Sequence, residues 1–503
     1  AKSIAGGGVP MAPCSSQARD SPGVIVEEIT TFPPSVAAVE TALPAFIGYT
    51  ERRLDAAGAE LAANVPQRIG SLLEFETRYG RGAPPTVSSV ELDENGTFIR
   101  ASISQSFYLY DALRLFYANG GGDCFIVSIG DAVGMPGGPT AGDFTAGITA
   151  LETWDEPTIL LMPDAVALTT DPADPNTADA IHGLLQSMLG HCADLGDRFA
   201  VLDLPESDPL GVKFRNHSGT NGLKYGAAYT PWLEAALSKP IFAYDFGNIF
   251  SRRGAGAGLS LTAVLTDTDA TLINNVDATA AEADRLAAEN ILRQSSGIYK
   301  GIISGLNATA VNLPPSGAVV GLYAFTDRTR GVWKAPANVS VSGIIQPATI
   351  YTQSELGNLN VDATSGKSIN AIRKFSGKGT LVFGARTLAG NDGEYRYVNV
   401  RRLMNMLEES VKKASEQFVF EPNDANTWVR VRGMIENFLT LLWQDGALQG
   451  AKAEHAFRVA VGLGQTMTPQ DVVDGRMIVE IAVAPVRPAE FIVLRFMQHL
   501  PNS

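Results

Sequence analysis

Apolar runs that end in proline and aspartate alternate with amphipathic stretches through the middle of the chain. The runs PTILLMPDA (157–165) and RFAVLDLP (198–205) show no polar alternation, which is typical of strands buried on both faces of a mainly parallel sheet. Residues 178–195 between them predict a crossover helix, and the alanine-rich, acidic stretch 280–292 predicts another. The pattern therefore predicts an open, three-layer α/β domain over residues 131–340.

The preceding segment has the same order of elements. Residues 42–49 (ALPAFIGY) and 124–129 (CFIVSI) predict strands, and between them 106–118 predict a helix whose apolar residues recur at helical spacing. Two later runs that are largely apolar, IFAYDFG (241–247) and AVVGLYAFTD (318–327), predict further strands of the α/β domain.

The last third of the chain has the clearest periodicity. Residues 400–418 and 428–443 each predict a helix with one apolar face. Three strands are predicted after them, over 456–461, 476–483 and 490–497, and in the middle one Met477, Val479, Ile481 and Val483 share a face. This order predicts an α+β domain at the C-terminal end.

Both ends of the chain carry β-rich segments that are candidates for pairing with another molecule. Residues 1–21 have the composition of a flexible arm, for which a disordered tail is the alternative interpretation, and the strand-like SPGVIVEEI (21–29) follows. An extended arm of about 20 residues reaches up to ~66 Å, well beyond the ~23 Å radius of gyration of a globule this long. The strand predicted over 490–497 is apolar on both faces, and such an edge must be covered.

Composition and charge exclude several classes of protein. The 503 residues include 39 Lys+Arg and 53 Asp+Glu, a net charge of −14, which argues against a dedicated nucleic-acid binder. Hydrophobic residues make up 45% and charged residues 18%, so most of the chain is expected to fold. Three cysteines make no disulfide framework, and we find no secretory signal and no apolar run of about 20 residues. These features predict a soluble protein made in the cytoplasm.

Motifs that would carry chemistry are incomplete. GKS at 366–368 resembles a phosphate-binding loop, but Val361 stands where the first glycine is required. GAGAGL (254–259) resembles a dinucleotide fingerprint with Leu259 in place of its last glycine. No G-x-S-x-G segment occurs, and the five histidines form no metal-binding spacing, so we predict no enzyme activity, no metal and no cofactor.

Segments spread over almost the whole chain carry a family resemblance: SPGVIVEEI (21–29), GVWKAPAN (331–338), NVRRLMNMLEESVKKASEQFVFEPND (399–424), LLWQDGALQG (441–450) and DGRMIVEIAVAPVRPAEFIVLRF (474–496). In these segments, and in their order, the chain resembles the contractile tail sheath proteins of phages and phage-tail-like injection particles. The resemblance implies an α/β and α+β multidomain subunit. An inner C-terminal α+β domain is completed by exchanged terminal strands, and a three-layer α/β domain with a subtilisin-like fold lies outside it.

The resemblance also implies a division of the chain. The expected units are a flexible arm (1–21), an N-terminal part with the linking strand and an αβ unit (22–130), the outer subtilisin-like domain (131–340) and the C-terminal sheath core (341–503). The outer domain is expected to be non-catalytic, because Leu184 follows His182 and Gly183 and no nucleophile segment comes after.

Two sets of residues are candidate contacts on this interpretation. The strand exchange between subunits is assigned to Val24, Val26, Ile29, Met477, Val479, Ile481, Phe491, Val493 and Leu494. Contact with the inner tube is assigned to Lys412 and Lys413. Salt bridges to Glu408 and Glu409, four residues before them, are the alternative explanation for the two lysines.

The implied function is that of a structural subunit. It would polymerise helically around a rigid tube, in rings of six, and contract from a metastable state to drive the tube through an envelope. The implied partners are further copies, the tube protein, and baseplate and tail-terminator or cap proteins, without nucleic acid or membrane insertion. The subunit would assemble in the bacterial cytoplasm into a phage tail or a phage-tail-like particle. Another tail or baseplate subunit, or a subtilisin-like hydrolase, is the alternative.

The net charge is unevenly distributed along the chain. Residues 395–503 contain 12 basic and 12 acidic side chains, so the whole excess of negative charge lies before them. If the C-terminal part forms the lattice, a neutral core would carry an acidic outer coat that keeps sleeves apart.

Overall fold

The computed structural model describes residues 36–132, 138–168, 178–254, 256–265, 267–276 and 281–493. The strands in these ranges are Pro44–Thr50 (β1), Gln67–Ile69 (β2), Thr86–Leu92 (β3), Phe98–Ser104 (β4), Cys124–Asp131 (β5), Ile159–Leu161 (β6), Phe199–Asp203 (β7), Gly226–Thr230 (β8), Leu233–Ala235 (β9), Phe250–Arg252 (β10), Gly256–Leu259 (β11), Val311–Leu313 (β12), Val339–Ser340 (β13), Gln346–Pro347 (β14), Ile369–Phe375 (β15), Gly379–Val382 (β16), Phe457–Val461 (β17) and Val479–Val483 (β18).

The α-helices in the same ranges are Leu72–Tyr79 (α1), Leu109–Ala118 (α2), Ala141–Ala150 (α3), Ala180–Leu195 (α4), Val212–His217 (α5), Leu261–Val264 (α6), Asp267–Ile273 (α7), Glu282–Ser295 (α8), Gly297–Ala308 (α9), Ser316–Arg330 (α10), Gln353–Asn360 (α11), Val398–Ser415 (α12), Ala425–Gln444 (α13), Ala453–Ala456 (α14) and Pro469–Val473 (α15). None of them is both long and apolar enough to cross a membrane.

The largest sheet is a mixed sheet with a parallel centre. Its nine strands run in the order β13-β16-β15-β8-β7-β6-β1-β5-β2. The six strands from β15 to β5 are parallel to their neighbours, and the pairs at both ends of the sheet are antiparallel. Every residue of β1, β6, β7 and β8 is buried, which explains why their sequences lack polar alternation. The strands predicted within 42–49, 124–129, 157–165 and 198–205 are confirmed.

Helices cover both faces of this sheet. Successive side chains of a strand point to opposite faces. On β1, Phe46 packs edge-to-face on Phe116 of α2, with ring centroids 5.2 Å apart. The next residue, Ile47, lies against Gly147 of α3. Helix α10 packs beside α2, and α4 beside α3. The α/β region therefore has three layers, as the sequence predicts.

Two of the predicted strands are wrong. AVVGLYAFTD lies inside α10, where Ala318 to Ala324 are all buried. A helix enclosed on all sides needs no polar face, so its sequence has no helical periodicity and reads like a buried strand. IFAYDFG contains a short 3₁₀ turn, Ala243–Asp245, rather than a strand.

The nine-stranded sheet crosses both segment boundaries predicted at 130/131 and 340/341. Strand β1 precedes the first boundary and β5 runs over it to Asp131; β13 ends just before the second boundary, and β15 and β16 follow it. Strand pairing joins residues distant in sequence, for example Ile369 with Ala228, and local hydrophobic patterns carry no information about such partners.

A smaller unit, absent from the sequence prediction, is built from two distant parts of the chain. Strands β3 and β4 pair with β10 and β11 in a four-stranded sheet. Helices α6 and α9 pack on this sheet, and α7 and α8 pack on those two helices. Its own hydrophobic core includes Val90, Phe250, Leu292, Tyr299 and Ile302. In β4, the exposed residues Arg100, Ser102 and Ser104 alternate with the less exposed Ala101 and Ile103, which is consistent with a sheet that faces solvent on one side.

The C-terminal core consists of α12, α13 and the hairpin of β17 and β18. The two helices predicted over 400–418 and 428–443 are confirmed, and Leu403, Leu407, Ile435 and Phe438 on their apolar faces are buried. Asp424 caps α13 by accepting the backbone N–H groups at its start. Val36 and Val39 from the N-terminal side also pack on this core, so the first described residues belong to it.

Candidate functional site

The hairpin β17–β18 is an isolated two-stranded sheet. Its register runs from Phe457 opposite Val483 to Val461 opposite Val479. Among the described residues no further strand pairs with either of them. A two-stranded ribbon with unpaired outer edges is the structural arrangement that accepts an added strand.

Three of the predicted exchange residues lie on or next to this hairpin. Val479 and Ile481 belong to β18, and Met477 precedes it. Met477 and Val479 are half-buried against the C-terminal core, whereas 39% of the surface of Ile481 is exposed. Because directly opposite residues share a face, Ile481 stands beside Val459, whose side chain is buried.

The other predicted exchange residues lie at the ends of the chain. Val24, Val26, Ile29 and Leu494 fall outside the described residues. Phe491 and Val493 are 71% and 76% exposed, and the described segment 486–493 forms no strand within its own subunit. The structure thus places the C-terminal candidates on the surface and leaves their strand pairing a prediction.

An ion pair between a buried arginine and a half-buried glutamate fixes the segment just before these residues. The guanidinium of Arg386 donates to Glu490 from Nη2 at 2.6 Å and from Nε at 2.9 Å. Asn360 Nδ2 and the Tyr397 hydroxyl donate to the same carboxylate at 2.6 and 3.1 Å. Burial acts to raise the pKa of Glu490, but these donors outweigh it and the pKa is lowered from its ordinary value.

A second ion pair fixes the N-terminal segment. Arg402 of α12 contacts Asp327 of α10 at 2.6 Å, and both side chains are almost fully buried. Thr41 donates its hydroxyl to Asp327 at 2.6 Å and accepts from Arg402 at its backbone oxygen at 2.8 Å. Val39 N–H donates to the Ser410 hydroxyl. The chain therefore crosses α12 and α10 before it enters the large sheet at β1.

The two lysines predicted to touch the tube form ion pairs in the subunit. Lys413 Nζ lies 2.8 Å from Asp155 and 3.4 Å from Glu409, and Lys412 Nζ lies 3.1 Å from Glu409. The pair between Glu409 and Lys413 agrees with the predicted spacing of four. Lys412 remains 62% exposed at its side chain.

The other predicted spacing pair does not form. Glu408 contacts Arg401 instead of Lys412, at 3.0 Å. Arg401 lies seven residues before Glu408, about two turns along the same side of α12.

Carboxylates near Lys413 form a cluster of the kind that can bind a cation. Oxygens of Asp155, Asp197 and Glu409 lie within 4.8 Å of one another, the one such group among the described residues. Two lysine ammonium groups already contact this cluster. We therefore assign no metal to it.

The incomplete motifs have structural roles. Lys367 of the GKS sequence is buried and donates to the Arg215 carbonyl at 2.7 Å, and Ser368 donates to the Asn360 carbonyl at 2.6 Å. GAGAGL contains the short strand β11. His182 is buried, and its Nδ1 accepts the backbone N–H of Asp179 at the start of α4.

Parts of the sequence are similar to known proteins. Residues 391–498 match the sequence model of the phage tail sheath C-terminal domain. The tail sheath protein of Vibrio phage KVP40 is 28% identical over 189 residues, 37% of this chain. The chain covers only 26% of the length of that relative.

Solved structures match the chain over almost its whole length. The sheath complex of the PVC extracellular contractile injection system, in its contracted state, is 27% identical with a TM-score of 0.59, and the match covers 96% of this chain and 99% of that one. Chains of the anti-feeding prophage, solved in its contracted helical sheath and in its six-fold symmetrised baseplate, are 28% identical with TM-scores of 0.59. Each match covers 96% of this chain and 100% of the other.

These matches support a contractile tail sheath protein. The match that extends over the whole chain is to the sheaths of contractile injection systems, and the phage relative matches over a shorter part.

Proposed function

We propose that the protein is the structural subunit of a contractile sheath. Copies of it polymerise helically around a rigid tube and contract from a metastable extended state, which drives the tube through a target envelope. The observation that carries this proposal is the near full-length similarity to two injection-system sheaths solved in the contracted state. The six-fold baseplate structure of one of these relatives supports six-fold rings and a baseplate as a partner.

Strand exchange is the proposed link between copies. The hairpin β17–β18 accepts an N-terminal strand with Val24, Val26 and Ile29 from one neighbour. On its other side it accepts a C-terminal strand with Phe491, Val493 and Leu494 from another. Both additions bury backbone groups that water must otherwise satisfy, and each large apolar side chain contributes about 1.5–3 kcal/mol when fully buried.

Exchange of this kind determines the form of the assembly. The donor and acceptor surfaces differ, so each contact is heterologous, and contacts that do not close into a ring generate an open helical filament. The arms keep neighbours connected while the folded bodies rotate and move outward. The energy of contraction is stored in the metastable arrangement of the subunits, so the proposed mechanism uses no nucleotide.

The outer surface and the tube surface follow from this arrangement. The large α/β region, whose subtilisin-like classification remains part of the proposal, faces outward and carries the excess negative charge. The C-terminal core faces the tube, and Lys412 and Lys413 are the proposed contacts with it. A tail-terminator or cap protein ends the sleeve at the far side from the baseplate.

The first experiment examines the assembled protein by negative-stain electron microscopy. The full chain produced with its tube protein is expected to form wide, striated, hollow cylinders. Deletion of residues 1–29 removes the N-terminal arm together with the proposed linking strand, all of it before the first described residue, Val36, so the expected product is folded, monomeric protein. Circular dichroism and the thermal midpoint provide the control for folding. Normal contractile cylinders from the deletion variant would exclude the N-terminal arm as a link.

A further inference from the structure

The C-terminal segment is attached to its own subunit at Glu490. The Glu490 side chain is only 21% exposed, whereas Phe491, Ile492 and Val493 are 71%, 80% and 76% exposed. The last backbone hydrogen bond before this point joins Val486 N–H to the Ala447 carbonyl. From that bond to the end of the described chain, the side chain of Glu490 makes the strongest attachment.

The groups that bind Glu490 come from three separate elements. Asn360 is the last residue of α11, Arg386 lies in the loop after β16, and Tyr397 directly precedes α12. Arg386 is itself held, because its Nη1 donates to the carbonyl oxygens of Asn360 and Gly390 at 3.3 and 3.4 Å. The receptor for the carboxylate is therefore rigid before Glu490 binds, unlike a pair of flexible side chains at the surface.

The coordination of the Glu490 carboxylate differs from that in an ordinary surface salt bridge, because its donors come from several side chains. Two donors come from the planar fork of one buried arginine, and two neutral donors complete the coordination of the same carboxylate. If the carboxylate left, the buried guanidinium would lose its charge partner, which is costly in a site that is only 5% exposed. The arrangement favours one fixed position for residue 490.

We propose that Arg386 and Glu490 form the anchor from which the C-terminal linking arm leaves the subunit. This inference rests on the proposed strand exchange and identifies the residues that position the arm for it. With the anchor closed, the movable part of the arm begins at Phe491. With the anchor open, it begins after Val486, and the four added residues extend its reach by about 13 Å. A longer free segment lowers the effective concentration of the arm at the neighbouring hairpin.

The test compares two arginine–carboxylate pairs in the full chain. Glu490→Gln places an amide NH₂ against the donors of Arg386 and opens the anchor. Glu289→Gln weakens the ion pair that Glu289 forms with Arg293 at 2.9 Å, in the smaller unit around Phe250 and away from both proposed arms, and serves as the matched control. Tyr397→Phe removes one donor only and is the mild variant of the anchor.

Two readouts are taken for each variant. Amide hydrogen exchange of the peptide covering 484–493 reports the anchor itself, and we expect it to rise at least tenfold in Glu490→Gln, less in Tyr397→Phe, and not at all in Glu289→Gln. The protein concentration that gives half-maximal cylinder formation reports assembly, and we expect it to rise about tenfold in Glu490→Gln alone.

The outcomes separate the two proposals. Unchanged exchange in Glu490→Gln, or an equal loss of assembly in Glu289→Gln, would overturn the anchor. Cylinders that fail to form even with the unaltered chain would overturn the sheath function, and the exchange measurement would still decide whether the anchor exists.

Discussion

At the residue scale, carboxylates at the carboxyl ends of the central strands hold the α/β region together. Asp164 follows β6 and accepts the backbone N–H groups of Tyr49, at 2.8 Å, and Leu109, at 2.9 Å. It thereby connects β1 to the start of α2. Asp203 ends β7 and accepts the N–H of Ser316 at the start of α10, at 2.8 Å. Both acids are buried.

Asp203 predicts a dependence of stability on pH. Burial raises its pKa from 3.8 to about 7, with hydrogen bonds from Ser316 opposing the shift. Between these values the folded state binds the extra proton, so Asp203 favours folding at the lower pH and opposes it as the pH rises towards 7. Asp203→Asn keeps an acceptor for Ser316 without a titrating group. Relative to the original chain, the variant should gain about 1.4 kcal/mol of stability per pH unit between pH 5 and 6.5.

Urea unfolding of both proteins at pH 5, 5.5, 6 and 6.5 measures this difference. The pKa of Asp164 is raised to about 6 mainly by burial. Because Asp164 is present in both proteins, its contribution to the difference in their unfolding free energies cancels. Parallel pH profiles for the two proteins would show that Asp203 does not titrate in this range.

At the element scale, the contact between α2 and α10 is unusually close. A Cβ atom on Gly317 would overlap the backbone carbonyl of Ala112, and one on Gly321 would lie 2.5 Å from the carbonyl oxygen of Phe116. The two glycines allow the helix backbones to approach. The same glycines, inside an apolar run, make α10 look unlike a helix in the sequence, which is one reason for its wrong assignment.

A pair of glycine substitutions tests this close contact. Gly317→Ala should destabilise the protein by about 1–3 kcal/mol, because one of the helices must move. Gly433→Ala is the matched control, since Gly433 lies on the exposed side of α13 with nothing within 4 Å of an added Cβ. There the better helix propensity of alanine should stabilise by up to about 1 kcal/mol. Thermal midpoints of the two variants should therefore shift in opposite directions; shifts of the same sign would contradict the packing described.

At the scale of the whole molecule, the anchored parts of the chain surround the C-terminal core. Arg402 and Asp327 hold the N-terminal segment at Thr41, and the ion pair of Arg386 and Glu490 holds the C-terminal segment. None of these four side chains stands in a motif, and their partners are 75 and 104 residues away. Glu490 gives a weak signal in the sequence, as a lone acid at the start of an apolar run.

Docking of the whole subunit on the tube depends, on our proposal, on Lys412 and Lys413. Reversal of both charges to glutamate should reduce co-assembly with an acidic tube about tenfold, equivalent to about 1.4 kcal/mol. The control reverses Lys300 and Lys374, which are exposed on other elements. Pull-down of tube by sheath at low and high salt measures the effect.

The ion pairs of these lysines supply the competing explanation. If Lys412 and Lys413 only neutralise Glu409 and Asp155, the double reversal should lower the thermal midpoint and leave tube binding equal to that of the control.

The sequence by itself determined two kinds of element: helices with a periodic apolar face, and short strands whose residues are all apolar. It gave the strands around 157–165 and 198–205, the two long helices of the C-terminal core, and the neutral charge of residues 395–503. Helical and strand periodicity are local properties, so neighbouring residues are sufficient to reveal them. The resemblance in scattered segments added the sheath family, which the comparisons support.

Only the tertiary structure decided which distant parts meet. It joined strands from three predicted segments in one sheet, enclosed α10, assembled the small unit around Phe250, and brought Arg386 to Glu490. Strand pairing and buried ion pairs are fixed by packing and desolvation between residues far apart in the chain, and no local pattern records the identity of such partners.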